Sequence, residues 1–274
     1  MTQEKHGDRN FDELGERFAR NIYGSPKGQI RLQVLWRHLL QSLPQLTAAP
    51  CRVLDAGCGL GQMAARLVDM GHELTLCDVS DDMLEAAQRL IEELSEQSAE
   101  KTAVSPVAAT LFYKAALQDM PDRCPQPFDI VLCHAVLEWL AEPEQAITAL
   151  VQLVTAGGYL SLTFYNRDAL IYRNLINGNL RKVKSGDYAG HRGGLTPGNP
   201  LSPTVVYSWL EQQGFEIRAT AGLRVFYDFI ARKTRDRLPL DDIIELEMEY
   251  SQRQPYQSLA RYIHVVAQRV AVVE

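Results

Sequence analysis

The sequence predicts an α/β fold: a doubly wound, mostly parallel sheet that finishes with an antiparallel C-terminal strand. Three observations point there. From residue 51 onward short apolar runs alternate with helical patterns, as parallel strands joined by crossover helices require. The first run opens into a glycine-rich turn and an amphipathic stretch, "VLDAGCGLGQMAARL", from Val53 to Leu67. The last third changes character and ends on two strand-like runs separated by a helical insert.

The elements follow in order. "CRVLDAG" reads as a buried strand and leads into a helix from about Gln62 to Met70. "HELTLCD" is the second strand. Ser80 is placed to cap the next helix, "DDMLEAAQRLIEEL", whose leading acids favour its positive N-terminal end. "AATLFYKAAL", "FDIVLCH" and "GGYLSLTFYN" are strands three to five, and "EQAITALVQLVTAGG" is a helix stopped by glycines. After a connection from Gly190 to Pro203, Ser202 and Pro203 read as N-cap and N1 of "TVVYSWLEQQ". "FEIRATAGLRVF" and "RYIHVVAQRVAVV" are the final strands. One domain is expected. Residues 1–50 form a helical cover, 51–165 a ligand-binding core, 166–203 a basic insert, and 204–274 complete the sheet.

At 274 residues, 46% hydrophobic and 23% charged, the chain has the composition and length of an ordinary globular domain with a full core. No apolar run approaches the roughly 18 residues that span a bilayer. The polar N-terminus "MTQEKHGDRNFDEL" lacks a signal-peptide core, so a cytoplasmic enzyme is expected and no membrane partner. The five cysteines (Cys51, Cys58, Cys77, Cys124, Cys133) form no CxxC and read as reduced, buried thiols. The six histidines lack HxxxH or HExxH spacing, so no metal is expected. The net charge is −6, yet residues 165–237 hold 12 Lys+Arg against 6 Asp+Glu. A basic segment in an acidic chain either guides a polyanion to one face or is a solvated surface.

The turn is Asp55-Ala-Gly57-Cys58-Gly59-Leu-Gly61. Glycines at a strand-to-helix turn let backbone N–H groups come close to a ligand. A dinucleotide fingerprint would need glycine at position 62, which is Gln62. D-x-G-x-G-x-G after a strand resembles instead the S-adenosyl-L-methionine site of class I methyltransferases, which the antiparallel finish also suits better than a dehydrogenase. That resemblance implies that the turn wraps the amino-acid half of the cofactor, with Asp55 holding its ammonium directly or through water. Asp78 ends the second strand, where an acid accepts from ribose hydroxyls; its other reading is a helix cap. Gln118 and Asp119 follow strand three, where that class contacts adenine, and Asp119 equally suits a cap. His134, at the carboxyl end of strand four, faces the ligand by the sheet rule and reads as a lining residue rather than a base.

Less generic stretches carry a closer resemblance. "DRNFDELGERFARNIYGSPKGQIR", "HAVLEWLAEP", "LSLTFYNRDALIYRNLINGN", "LRVFYDF" and "PYQSLARYIHV" resemble the bacterial tRNA 5-carboxymethoxyuridine methyltransferases, over nearly the whole chain. The resemblance implies methylation of the 5-carboxymethoxyuridine carboxylate at the tRNA wobble position, with S-adenosyl-L-homocysteine as the second product. It also implies cofactor contacts from Arg31, Gly57, Cys58, Asp78, Leu117, Gln118 and His134. Arg31 would meet the methionine carboxylate from an N-terminal helix folded over the site. Cys58 departs from the family pattern, which has glycine there, and the 185–203 connection is less lysine-rich.

An ionised carboxylate is already a nucleophile at neutral pH. In-line displacement then needs no general base, so no catalytic residue is assigned. Tyr165, Trp139 and Tyr23 are candidates to stack on a splayed wobble base, although Trp139 suits the core better. Tyr165 and Asn166, ending strand five, are favoured as substrate contacts. Arg173, Arg181, Lys182 and Lys184 are candidates for anticodon-arm phosphates; Arg224, Arg232, Lys233, Arg235 and Arg237 extend that surface or are solvated. Two alternatives stay open: a methyltransferase of a small acceptor such as a quinone precursor or carboxylic acid, and a non-catalytic cofactor-binding adaptor.

Overall fold

The computed structural model describes residues 24–101, 110–188 and 196–270. Strands β1 (Arg52–Ala56), β2 (Glu73–Asp78), β3 (Leu111–Lys114), β4 (Phe128–His134) and β5 (Val154–Tyr165) run parallel, while β6 (Phe215–Leu223) and β7 (Tyr262–Arg269) complete the sheet. The order is β3-β2-β1-β4-β5-β7-β6, and β7 is antiparallel to both of its neighbours. The carboxyl ends of β5 and β6 therefore meet the start of β7, with Tyr262 opposite both Tyr165 and Leu223.

Period-two alternation divides the core between the two faces. Leu54, Ala56, Val131, Cys133, Leu160 and Leu162 pack under α4 (Pro143–Leu153) and α7 (Pro203–Gln212). Val53, Leu74, Leu76, Ile130 and Leu132 pack under α1 (Pro26–Ser42), α3 (Asp81–Lys101) and α8 (Leu240–Tyr250). The same alternation turns Asp55, His134, Ser161 and His264 toward this second face, so a polar seam runs through an apolar layer.

Local chemistry sets the ends of the helices. Pro26 starts α1 behind Ser25, whose side chain accepts from Gly28 N at 3.3 Å. Ser80 Oγ accepts from Met83 N at 3.3 Å ahead of the acidic first turn of α3. Pro203 starts α7 as expected, but Ser202 caps it through its backbone carbonyl and not its hydroxyl.

Three boundaries differ from the sequence reading. The helix expected over 62–70 is cut to α2 (Ala64–Leu67) and a 3-10 turn, closed by left-handed Gly71. Helix α4 stops at Leu153, before the glycines, because β-branched Val154 and Thr155 enter the strand. Gly157 and Gly158 then fall at a register shift between Phe128 and Ile130. Strand three is only four residues long; its expected start at 108–109 lies outside the described residues, as does Tyr23. The N-terminal cover is a packed element: α1 buries Ile30, Val34, Leu35 and Leu39 against β6, β7 and α8.

Candidate functional site

The turn after β1 is demanded first by the protein's own packing. Gly57 has φ +75°, and a Cβ there would lie 2.4 Å from Val136 Cγ2. Gly61 has φ +70°, and its Cβ would meet Ala87 of α3 at 2.9 Å. The amides are also committed, against the expectation that they face a ligand. Gly57 N and Cys58 N both donate to Cys77 O, at 2.8 and 3.0 Å, and Gly61 N donates to Cys58 O at 3.0 Å. Gly59 N donates to Asp78 Oδ2 at 2.8 Å. With four of its amides committed inside the protein, the turn is poorly equipped for a phosphate.

Two carboxylates disfavour an anion further. Asp55 is buried, and desolvation, with the neighbouring charge of Asp78, pushes its pKa up to about 7, partly offset by the Ala64 amide. A bound cation would relieve both costs. Asp78 accepts from Gly59 N and, through Oδ1, from Ser80 N at 3.0 Å. Ser80 rather than Asp78 caps α3. The Cys58 thiol is inert: burial raises its pKa well above the usual value. After β3, Leu117–Asp119 form a 3-10 turn. Leu117 packs in the core beneath α4, Gln118 is half-buried and Asp119 is exposed.

His134 ends β4 and begins a buried hydrogen-bonded chain. Its Nε2 lies 2.8 Å from Ser161 Oγ, itself 2.8 Å from His264 Nε2. His264 Nδ1 lies 2.7 Å from His38 Nδ1 in α1, and His38 Nε2 lies 3.3 Å from Ser42 Oγ. Each link needs one proton, so the tautomers of the three rings are coupled. Burial, with Arg31 nearby, lowers His134 to about 3, and burial takes His38 to about 4. All three rings therefore stay neutral. The remaining atom, His134 Nδ1, is buried with no hydrogen-bond partner. Four residues on, Glu138 is fully buried and pushed up to about 8 by desolvation, against the Glu138 amide, the charge of Arg31 and the Tyr165 amide. Arg31 lies over the Tyr262 ring at 5.6 Å.

The substrate candidates separate. Tyr165 is buried at the end of β5, with Arg261 over its ring at 4.7 Å. Asn166 has a different task from the one expected. Its Nδ2 donates to Ser258 O and Ala260 O, both at 2.9 Å, and its Oδ1 caps α5 (Arg167–Ile176). Fully buried and committed, its side chain ties the end of β5 to the 258–260 segment and is not presented to a substrate. Arg173 is half-buried on α5, whereas Arg181, Lys182 and Lys184 stand exposed on α6 (Leu180–Ser185). Arg232, Lys233 and Arg237 are exposed; Arg224 and Arg235 are half-buried over aromatic rings.

Sequence reasoning missed Glu138, Ser161, His264, His38 and Arg261. Glu138 had a signal, an acid inside the apolar run "AVLEWL". Ser161 and His264 also interrupt strands whose neighbours are apolar, but only the β5–β7 pairing brings them together.

The chain is similar to proteins of described activity. It is 40% identical over 262 residues to the tRNA 5-carboxymethoxyuridine methyltransferase of Escherichia coli (strain K12), covering 96% of this chain and 97% of that protein. A ubiquinone biosynthesis O-methyltransferase of Vibrio atlanticus (strain LGP32) is 28% identical over 133 residues, covering 48% of this chain and 51% of its own. A sequence-family profile described as a methyltransferase domain matches residues 54–160. Among solved structures, the magnesium protoporphyrin IX methyltransferase of Synechocystis PCC 6803 superposes with TM-score 0.59 at 17% identity, covering 94% of this chain and 95% of that one.

Proposed function

The chain belongs to the tRNA 5-carboxymethoxyuridine methyltransferase family, and from that premise we propose that it uses S-adenosyl-L-methionine to methylate the carboxylate of 5-carboxymethoxyuridine at the tRNA wobble position. The cofactor, when bound, supplies an electrophilic methyl on a sulfonium. The residues at the carboxyl edge fit it: Asp55 and Asp78 are neighbouring acids, and the amides of Gly57, Cys58, Gly59 and Gly61 are already committed within the protein. Asp55 and the carbonyls around Gly57 would take the ammonium, Asp78 the ribose hydroxyls, and Leu117 and Gln118 the adenine. Arg31 would take the methionine carboxylate, and His134 would line the pocket through Nδ1.

None of these residues has to move a proton. The acceptor carboxylate is ionised at neutral pH; its lone pair forms the new O–CH3 bond as the S–CH3 bond breaks. The neutral histidine chain suits that chemistry, since no base is consumed. What the chain contributes is orientation, with reacting atoms held about 3–3.5 Å apart. A tRNA substrate places the work in the cytoplasm, and the exposed α6 cations are offered to anticodon-arm phosphates.

The identity over 96% of the chain is the observation that carries this reading. It includes the basic segment and the terminal strand pair as well as the cofactor half. The small-acceptor reading is supported only by relatives matched over part of the chain. Mass spectrometry of wobble nucleosides in tRNA from a deletion strain tests the proposal. Loss of the methyl ester with accumulation of the free acid is expected; unchanged methyl ester would sink it.

A further inference from the structure

Where β5, β6 and β7 meet, cations outnumber acids. Asp228 is the shared acid, with its side chain 4% exposed. Arg224 Nη2 reaches its Oδ2 at 2.8 Å, and Lys27 Nζ its Oδ1 at 3.9 Å. Burial works to raise the Asp228 pKa, yet Arg224, Arg261, Lys27 and Arg173 together hold it below its ordinary value. The Arg224 contact is an ion pair that leaves Asp228 Oδ2 without a hydrogen bond, and in charge one arginine balances one carboxylate. Arg261 and Arg173 have no carboxylate within 4 Å among the described residues.

The surplus is built in. Arg261 Nε and Nη1, Arg224 Nε and the Tyr165 hydroxyl are all buried without a hydrogen-bond partner. Such groups are costly to leave unpaired. Arg224 is held at φ +62° by a loop that Glu247 clamps through the amides of Val225, Phe226 and Tyr227, at 2.5, 3.2 and 2.7 Å. A non-glycine residue in the left-handed region persists only where its surroundings impose it.

The location matters as much as the charge. Arg224 and Arg31 each approach the Tyr262 ring at 5.6 Å, so the cluster lies about one aromatic ring from the residue offered to the methionine carboxylate. The rings of Tyr262 and the buried Tyr165 lie 5.3 Å apart beside the cluster. Planar guanidinium forks match an oxyanion. We propose that Arg224 and Arg261, with the Tyr165 hydroxyl, bind the acceptor carboxylate of the wobble nucleoside, holding one oxygen and leaving the other to attack. This rests on the reaction proposed above. The cleft between Arg173, Arg224, Asp228 and Arg261 is too tight for a water molecule. Seating the anion there requires Arg261, which stacks on Tyr165 with Nε and Nη1 unbonded, to swing aside.

Arg261→Gln and Arg261→Lys test it, with cofactor affinity as the check on folding and Arg224→Gln as a second variant. Two substrates are compared with cofactor bound: tRNA carrying 5-carboxymethoxyuridine, and the same tRNA with unmodified uridine. The wild type should bind the modified tRNA more tightly. Arg261→Gln should erase that preference and raise KM for the modified tRNA about ten- to hundredfold, leaving affinity for unmodified tRNA unchanged. Arg261→Lys should recover part of the loss. Equal weakening on both tRNAs, with a shallower salt dependence, would assign the site to a backbone phosphate and overturn the carboxylate assignment. No change on either would overturn the anion site. If the wild type fails to turn over the modified tRNA, the proposed reaction falls, while the binding preference still decides this site.

Discussion

Asp78 ends β2 and accepts from the Gly59 and Ser80 amides. Its sequence position already separated it from a plain surface acid, but its hold on the turn became visible only in three dimensions. Asp78→Ala should therefore weaken S-adenosyl-L-methionine binding by roughly 1.5–3 kcal/mol, the value of hydrogen bonds to a charged group. Asp78→Asn, which keeps one acceptor, should lose less. Calorimetry decides, and wild-type affinity in Asp78→Ala would remove the ribose assignment. Gly57 shows the opposite limit of sequence reading. The motif pointed to a ligand, yet the atom a Cβ would strike first is Val136 Cγ2. Spacing announces that a glycine is needed and not what crowds it.

At the scale of elements, the strands were legible because buried parallel strands are nearly continuous apolar runs. Helix ends were legible where Ser80 or Pro203 marked them, and misread at Val154, where β propensity overrode a glycine stop. The histidine chain was not legible: His38, His134, Ser161 and His264 come from four elements that the β4–β5 and β5–β7 pairings and the docking of α1 bring together. Helix α6 is simpler, since none of its residues is buried. Replacing Arg181, Lys182 and Lys184 by alanine, a strong helix former, should leave the fold and the cofactor affinity intact. If the three meet phosphates, the log–log salt slope of tRNA binding should fall by about 0.7–0.9 for each phosphate that is no longer neutralised. An unchanged slope would move the footprint to the Arg224–Arg237 region.

For the whole molecule, buried titratable groups predict how stability follows pH. Asp55 and Glu138 have folded pKa values near 7 and 8, above their ordinary 3.8 and 4.5. The stability they contribute is complete at low pH and is lost as pH rises toward those values. His38 and His134, lowered to about 4 and 3, and His264, lowered too, contribute stability that is complete above 6.5 and is lost as pH falls. With His72 also lowered and Glu247 also raised, four histidines outweigh three acids below that point, and the raised acids and thiols prevail above it. The melting temperature of the cofactor-free protein should thus peak at about pH 6.5, with the alkaline decline reduced by S-adenosyl-L-methionine. A monotonic rise to pH 9 would contradict these assignments. The central claim is the reaction itself, and turnover by the purified protein tests it most directly. With tRNA bearing 5-carboxymethoxyuridine and S-adenosyl-L-methionine, nucleoside mass spectrometry should show the wobble nucleoside heavier by one methylene, in an adduct that mild alkali returns to the acid. An unmodified wobble acid, or a methyl group that survives alkali, would contradict it.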